Sequence, residues 1–165
     1  MGIRVLGLDH IHVETRDLKR ARDLVARLFD VDATHAAEMP AHGFVNVSMM
    51  LRGAPNQPFL DMFQSTRPDG FVGRTFSKKG PGVSYLSFRV ENLDEAAAHA
   101  ASLGLEEVSR VGYRSMRQVQ FDTLEPLGFM LEFVEYGPGF WEEQASVNER
   151  LARGEEVEGL RWVDL

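Results

Sequence analysis

The 165-residue chain predicts an α+β fold built from one unit used twice, and three observations carry that prediction. First, Leu8–Leu18 (LDHIHVETRDL) alternates His10, His12 and Glu14 with Ile11, Val13 and Thr15, the period of a strand with unlike faces. It then meets Asp17, a helix-capping residue, ahead of Leu18, Ala21, Leu24, Val25 and Leu28 at helical spacing. Second, the run from Val83 (VSYLSFRVENLDEAAAHAASLGL) aligns with the run from Leu8, strand to strand and helix to helix. Asn92 falls under Asp17, and Glu95 three residues on resembles a capping box. Third, Ser65–Gly82 between them carries Pro68, Gly70, Gly73, Gly80, Pro81 and Gly82, the composition of a structureless linker.

The remaining elements follow in order. The first helix ends near Phe29 to Asp32, and residues 33–42 read as irregular. Gly43 opens a strand in which Phe44, Val45, Val47, Met49 and Leu51 are set against Asn46 and Ser48. Arg52–Pro58 is turn chemistry, and Phe59–Gln64 is the next strand, apolar except for Asp61. In the second unit Leu93, Ala96, Ala100 and Leu103 repeat the helical stripe and Gly104 stops it. Val119 and Phe121 mark a further strand, LEPLG (Leu124–Gly128) a turn, and Phe129–Glu135 falls under Pro58–Gln64. One domain, 1–165, is expected: a first unit over about 7–65, a linker over 66–81, a second unit over about 82–136 and an extension over 137–165. The extension predicts a helix from GPGFW with Phe140, Val147 and Leu151 on one face. Its apolar tip of Leu160, Trp162, Val163 and Leu165 needs a partner surface on this subunit or the next.

One helix per unit leaves a bare sheet face, and pairing the half-sheets face to face with helices outside makes a cleft lined from matched positions. The repeat sets His10 over Tyr85 and Asp61 over Glu132. An acid in an apolar strand, such as Asp61, needs an ion to ligate or an ion-pair partner. His12 shares the face of His10 and suits a hydrogen-bonding or an acid–base role. Arg89, on the face of Tyr85, suits a substrate carboxylate or phosphate, or else pairs with Glu14, its repeat mate. Met49, Met50, Phe63 and Met130 line sheet or cleft. Arg74, Lys78 and Lys79 form a solvated charge cluster or meet an anionic tail such as a CoA phosphate, and His35, His42 and His99 belong to the surface.

Composition narrows the class. A net charge of −7 argues mildly against nucleic acid or an anionic membrane as partner, and the lack of Cys removes disulfides, thiolate metal sites and Cys nucleophiles. No apolar run is long enough for a signal peptide or a membrane span, and Leu6 stands where a myristoylation signal needs Ser or Thr. A cytoplasmic protein is expected.

Over about residues 7–136 the chain resembles the vicinal oxygen chelate (glyoxalase/bleomycin resistance/extradiol dioxygenase) superfamily. DHIHVETRDL (9–18), FLDMF (59–63), GVSYLSFRVEN (82–92) and FDTLEPLGFMLEFVE (121–135) carry the resemblance, the last being most similar to the methylmalonyl-CoA epimerase-like branch. The resemblance implies two tandem βαβββ modules forming a U-shaped cleft, commonly in a homodimer. There a divalent ion (Mn, Co, Zn, Mg or Fe) polarises two neighbouring oxygens of a small-molecule substrate. It puts metal ligands at His10, Asp61 and Glu132. The remaining ligand, usually His, falls on Tyr85, a poor ligand unless ionised and better suited to donating a hydrogen bond to a substrate oxyanion. The general-base Glu of the epimerases falls on Asn46, which cannot take a proton.

The expected protein is therefore a glyoxalase-like isomerase, epimerase or lyase. It acts on a small organic acid, ketone or acyl thioester through a metal- or donor-stabilised enolate. His12 or Glu14 moves the proton, Tyr85 holds the oxyanion, and Arg89, Asn46 and Met130 contact the substrate. The alternatives are an extradiol-type dioxygenase, with His10, His12 and Glu132 on iron, and a metal-free binding or resistance protein on the same fold.

Overall fold

The computed structural model describes residues 2–31, 35–51 and 57–165, so most of the turn expected over Arg52–Pro58 lies outside the described residues. The first unit runs β1 (Val5–Glu14), α1 (Leu18–Phe29), β2 (Ala36–Met39), β3 (Phe44–Met49) and β4 (Phe59–Ser65), followed by α2 (Phe71–Lys79). The second runs β5 (Gly82–Val90), α3 (Leu93–Ser102), β6 (Glu107–Tyr113), β7 (Met116–Phe121), α4 (Leu124–Leu127) and β8 (Met130–Tyr136), followed by α5 (Phe140–Ala152) and β9 (Arg161–Val163).

These strands form one sheet in the order β6-β7-β8-β5-β1-β4-β3-β2-β9. Within each unit the first strand lies parallel to the last, β1 beside β4 and β5 beside β8. The face-to-face pairing expected from the sequence does not form. The units join edge to edge through antiparallel β1 and β5, which gives both backbone edges the partners that stacking would leave bare. His10 lies opposite Ser87 and His12 opposite Tyr85, the two pairs that a two-fold repeat exchanges.

Helices α1 and α3 each cover the outer face of their own half. Asp17 accepts from the backbone N–H of Arg20 to start α1, and Asn92 accepts from those of Asp94 and Glu95 to start α3. Leu18 packs among Val45, Val47, Met49 and Met62, and Leu93, Ala96, Ala97 and Ala100 pack with Val119, Phe121 and Phe133. Full burial of a side chain such as Leu18 stabilises the fold by about 1.5–3 kcal/mol. The expected stripes were too wide: Leu24, Leu28 and Leu103 are exposed. Leu24 and Leu28 stand roughly 80–120° round the helix from Leu18, and Leu103 lies past the end of α3.

The stretch expected to be a structureless linker contains α2. Two of its glycines serve close packing: a Cβ on Gly73 would stand 2.4 Å from the carbonyl oxygen of Arg67, and one on Gly70 2.7 Å from that of His42. The segment expected to be irregular contains β2, and LEPLG closes as a single helical turn ended by Gly128 at φ 76°. The apolar tip finds its partner on this chain. β9 pairs with β2, and Val147, Leu151, Val157 and Leu160 pack against Ala37 and Met39 of β2, Tyr113 of β6, and Trp162. Strands β2 and β6 stand near opposite ends of the sheet. One cluster touching both means that the sheet is curled into a U, with α5 between its arms.

Candidate functional site

The floor of the U is built by register. β1 against β4 sets His12 beside Asp61, β1 against β5 sets His10 beside Ser87, and β5 against β8 sets Ser87 beside Glu132. Donors from three strands converge as a result. The Nε2 atoms of His10 and His12 are 2.7 Å apart. Oε1 of Glu132 stands 3.3 Å from the first and 3.6 Å from the second. The ligand atoms of His10, His12 and Asp61 all lie within 4.8 Å of one another. His10 and His12 are each 6% exposed and Glu132 is 0% exposed, so the cluster is shielded from bulk water.

The residues behind this cluster hold it in place. Oδ1 of Asp61 accepts from Asn46 Nδ2 and Ser48 Oγ, both at 2.9 Å. Oε2 of Glu132 accepts from Gln120 Nε2 at 2.6 Å, while its Oε1 has no hydrogen-bond partner among the described residues. Phe59 stacks on His10 with ring centroids 4.8 Å apart, and Phe63 on His12 at 4.9 Å.

Asp9 is the site residue that the sequence pattern missed. Strict alternation points it away from His10, but a register shift between Leu8 and His10 makes it the extra residue of a β-bulge. Its carboxylate thereby reaches the Nδ1 of His10 at 2.7 Å. Oδ1 accepts from Arg89, through Nε at 3.0 Å and also through Nη2, and Oδ2 accepts from the Tyr136 hydroxyl at 2.7 Å. The guanidinium carbon sits 5.0 Å from the centre of the Tyr136 ring. Arg89 therefore does not pair with Glu14. The antiparallel register places Arg89 opposite Gly7 and Glu14 opposite Gly82, at the two ends of the β1–β5 ladder.

Tyr85 is buried outside the donor cluster. Its ring lies 5.1 Å from that of His12, and its hydroxyl shares a hydrogen bond with Thr75 of α2. Of the four positions expected to converge, His10 meets Glu132 and also lies with Asp61, and His12 joins both contacts in place of Tyr85. Met130, opposite Tyr85, is buried as well.

Protonation follows from these neighbours. Burial pushes His10 down, but the hydrogen bond to Asp9 and the nearby carboxylates of Glu132 and Asp61 outweigh it and raise the imidazole to about 10. Burial pushes Glu132 up, and the two histidines more than reverse this, holding it well below the usual carboxylate range. Asp9 is likewise raised by burial and lowered, on balance, by His10, Tyr136 and Arg89. Glu14 differs: burial lifts it to about 7, with Ser84 and Lys79 pulling only partly the other way. Burial, with Glu132 and Glu14 nearby, pushes Tyr85 to about 12, so it stays a neutral phenol at neutral pH.

Two imidazole nitrogens with a carboxylate beside them suit a divalent ion. The outer hydrogen bonds on His10, Asp61 and Glu132 are what a metal centre needs to orient its ligands. The residues present fit the group.

The model of the Glyoxalase/Bleomycin resistance protein/Dioxygenase superfamily matches residues 9–121, and the chain belongs to that superfamily. No curated protein sequence matches it. Among solved structures it is similar to methylmalonyl-CoA epimerase from Mycobacterium tuberculosis, at 20% identity and a TM-score of 0.69, covering 86% of this chain and 95% of that one. A variant of the Streptomyces coelicolor methylmalonyl-CoA epimerase in complex with 2-nitronate-propionyl-CoA is similar at 20% identity and a TM-score of 0.63, covering 81% and 99%. A hypothetical protein from Bacillus halodurans is similar at 15% identity and a TM-score of 0.65, covering 79% and 94%. At these identities the likeness is one of fold.

Proposed function

We propose that the chain is a metal-dependent isomerase, epimerase or lyase acting on a small organic acid, ketone or acyl thioester with two adjacent oxygens. The convergence of His10 and His12 with Asp61, and the approach of Glu132 to both imidazoles, is the observation that carries this reading. A bound divalent ion would polarise the two oxygens and stabilise the negative charge that develops as a neighbouring C–H proton leaves. His10, His12, Asp61 and Glu132 would hold the ion, and Asn46 and Ser48 fix the Asp61 carboxylate that faces it. With His12 committed to the donors, Glu14 is the group left to move the proton. It is buried, its Oε2 has no hydrogen-bond partner among the described residues, and its carboxyl titrates at about 7, where an acid–base group works best. Tyr85 walls the cluster beside His12 and keeps its proton.

One observation favours the dioxygenase as a second reading: His10, His12 and Glu132 make two imidazoles and one carboxylate. Asp61 separates the two. It lies with both histidines and would add a carboxylate that the two-imidazole, one-carboxylate set does not include. The expected homodimer rests on the family resemblance, and among the described residues no helix is long and apolar enough to cross a membrane.

Metal analysis of untagged protein, before and after loading with Mn²⁺, Co²⁺, Zn²⁺ or Fe²⁺, tests the proposal. One equivalent is expected, and it should be lost in His12→Ala and Glu132→Ala. Protein that takes up none of the four removes the chelate reading. Deuterium exchange at the α-carbon of acyl-CoA or keto acids is then expected, against oxygen uptake with catechols for the second reading.

A further inference from the structure

Asp9 and Arg89 are more deeply engaged than a structural ion pair on a cleft wall needs to be. The Asp9 carboxylate is 0% exposed and accepts from three side chains on three strands: His10 on β1, Arg89 on β5 and Tyr136 on β8. Arg89 and Tyr136 also stack on each other, so neither donor can swing away without breaking two contacts. The oxygen that meets His10 Nδ1 is the one that accepts from Tyr136, and the guanidinium holds the other. The carboxylate is thus clamped from both sides and has one direction left, toward the His10 ring.

We propose that Asp9 is a positioning residue, which keeps the His10 Nδ1 protonated and hydrogen-bonded so that the Nε2 lone pair is aimed at the point shared with His12 and Glu132. This rests on the reading of His10 as a metal donor. Physical chemistry gives the reason. A ring nitrogen binds an ion only through a lone pair, and the hydrogen bond made by the other nitrogen decides which one has it. Arg89 therefore has a second assignment. It serves His10 through Asp9, and the residue expected to grip substrate grips this chain's own carboxylate.

Asp9→Asn tests the idea with almost no change in volume. Arg89 would take the amide oxygen, which turns the NH₂ toward His10 Nδ1 and drives the ring proton to Nε2, where it blocks the donor. Two readouts are expected to move. In metal-free protein, imidazole NMR of the wild type should show a strongly downfield Nδ1-bound proton on His10, and Asp9→Asn should lose it. In a Co²⁺ titration, the dissociation constant should weaken about 10–100-fold, with a changed visible spectrum. Should Asp9→Asn fail to fold, Tyr136→Phe, which removes one clamp on the same oxygen, carries both measurements and should shift the proton and weaken Co²⁺ several-fold. Unchanged proton, affinity and spectrum in the folded variant overturn the inference. If the wild type takes up no Co²⁺, the metal reading falls by itself, and the NMR comparison alone decides whether Asp9 sets the His10 ring.

Discussion

At one end of the β1–β5 ladder a bulge turns Asp9 inward to meet Arg89, Tyr136 and His10. At the other end the repeat-related shift, between His12 and Val13, makes Ser84 the extra residue on β5, beside Glu14. The alignment that sets Val83 under Leu8 also sets Ser84 under Asp9 and Arg89 under Glu14. The backbone device is the same, with one charge reversed and one lost. Where an acid and a base meet, the carboxylate is held ionised and serves as a fixed support. Where an acid meets a hydroxyl, burial outweighs what Ser84 and Lys79 do for the charge and the carboxyl titrates near neutrality. The repeat supplied two matched positions, and the identity of four side chains left one carboxylate charged and the other titrating near neutrality.

Four changes would break or sharpen that contrast. Arg89→Met leaves Asp9 buried without its cation and should cost about 3–5 kcal/mol in urea denaturation. A loss below 1 kcal/mol would mean that His10 and Tyr136 suffice. Tyr136→Phe removes one hydrogen bond to a charged group and should cost about 1.5 kcal/mol by the same measurement. Glu14→Gln should change the pH profile of thermal stability rather than abolish folding. The folded carboxyl titrates at about 7 and the reference carboxyl at 4.5, so the folded state binds more protons across that window. Wild-type stability must therefore fall as pH rises through it, and the uncharged Gln should flatten the fall. A decline that persists in the variant places the titrating group elsewhere. Ser84→Ala should have the smallest effect, under about 1 kcal/mol, because its hydroxyl has no hydrogen-bond partner among the described residues.

The tail makes a second contrast with the linker. Both α2 and α5 follow the last strand of a unit, yet only α5 was legible. Phe140, Val147 and Leu151 mark its buried face by helical spacing. α2 was hidden by Gly70 and Gly73, whose composition reads as flexibility when each is there to let backbones approach. β6 gave no signal for the opposite reason: Val108, Arg110 and Val111 are all exposed, so neither alternation nor an apolar run sets it apart.

By itself the sequence determined the repeat, the two capped helices, and the row of His10, His12 and Glu14 on one face of the first strand. Those follow from periodicity and from matched positions, which are local and additive along the chain. The tertiary structure decided what depends on register between distant strands. Edge-to-edge joining carried Arg89 away from Glu14, one extra residue in β1 turned Asp9 toward His10, and curling of the sheet brought β2 and β6 onto α5. A shift of a single residue in a ladder reverses which face a side chain occupies, and no pattern within one strand records it.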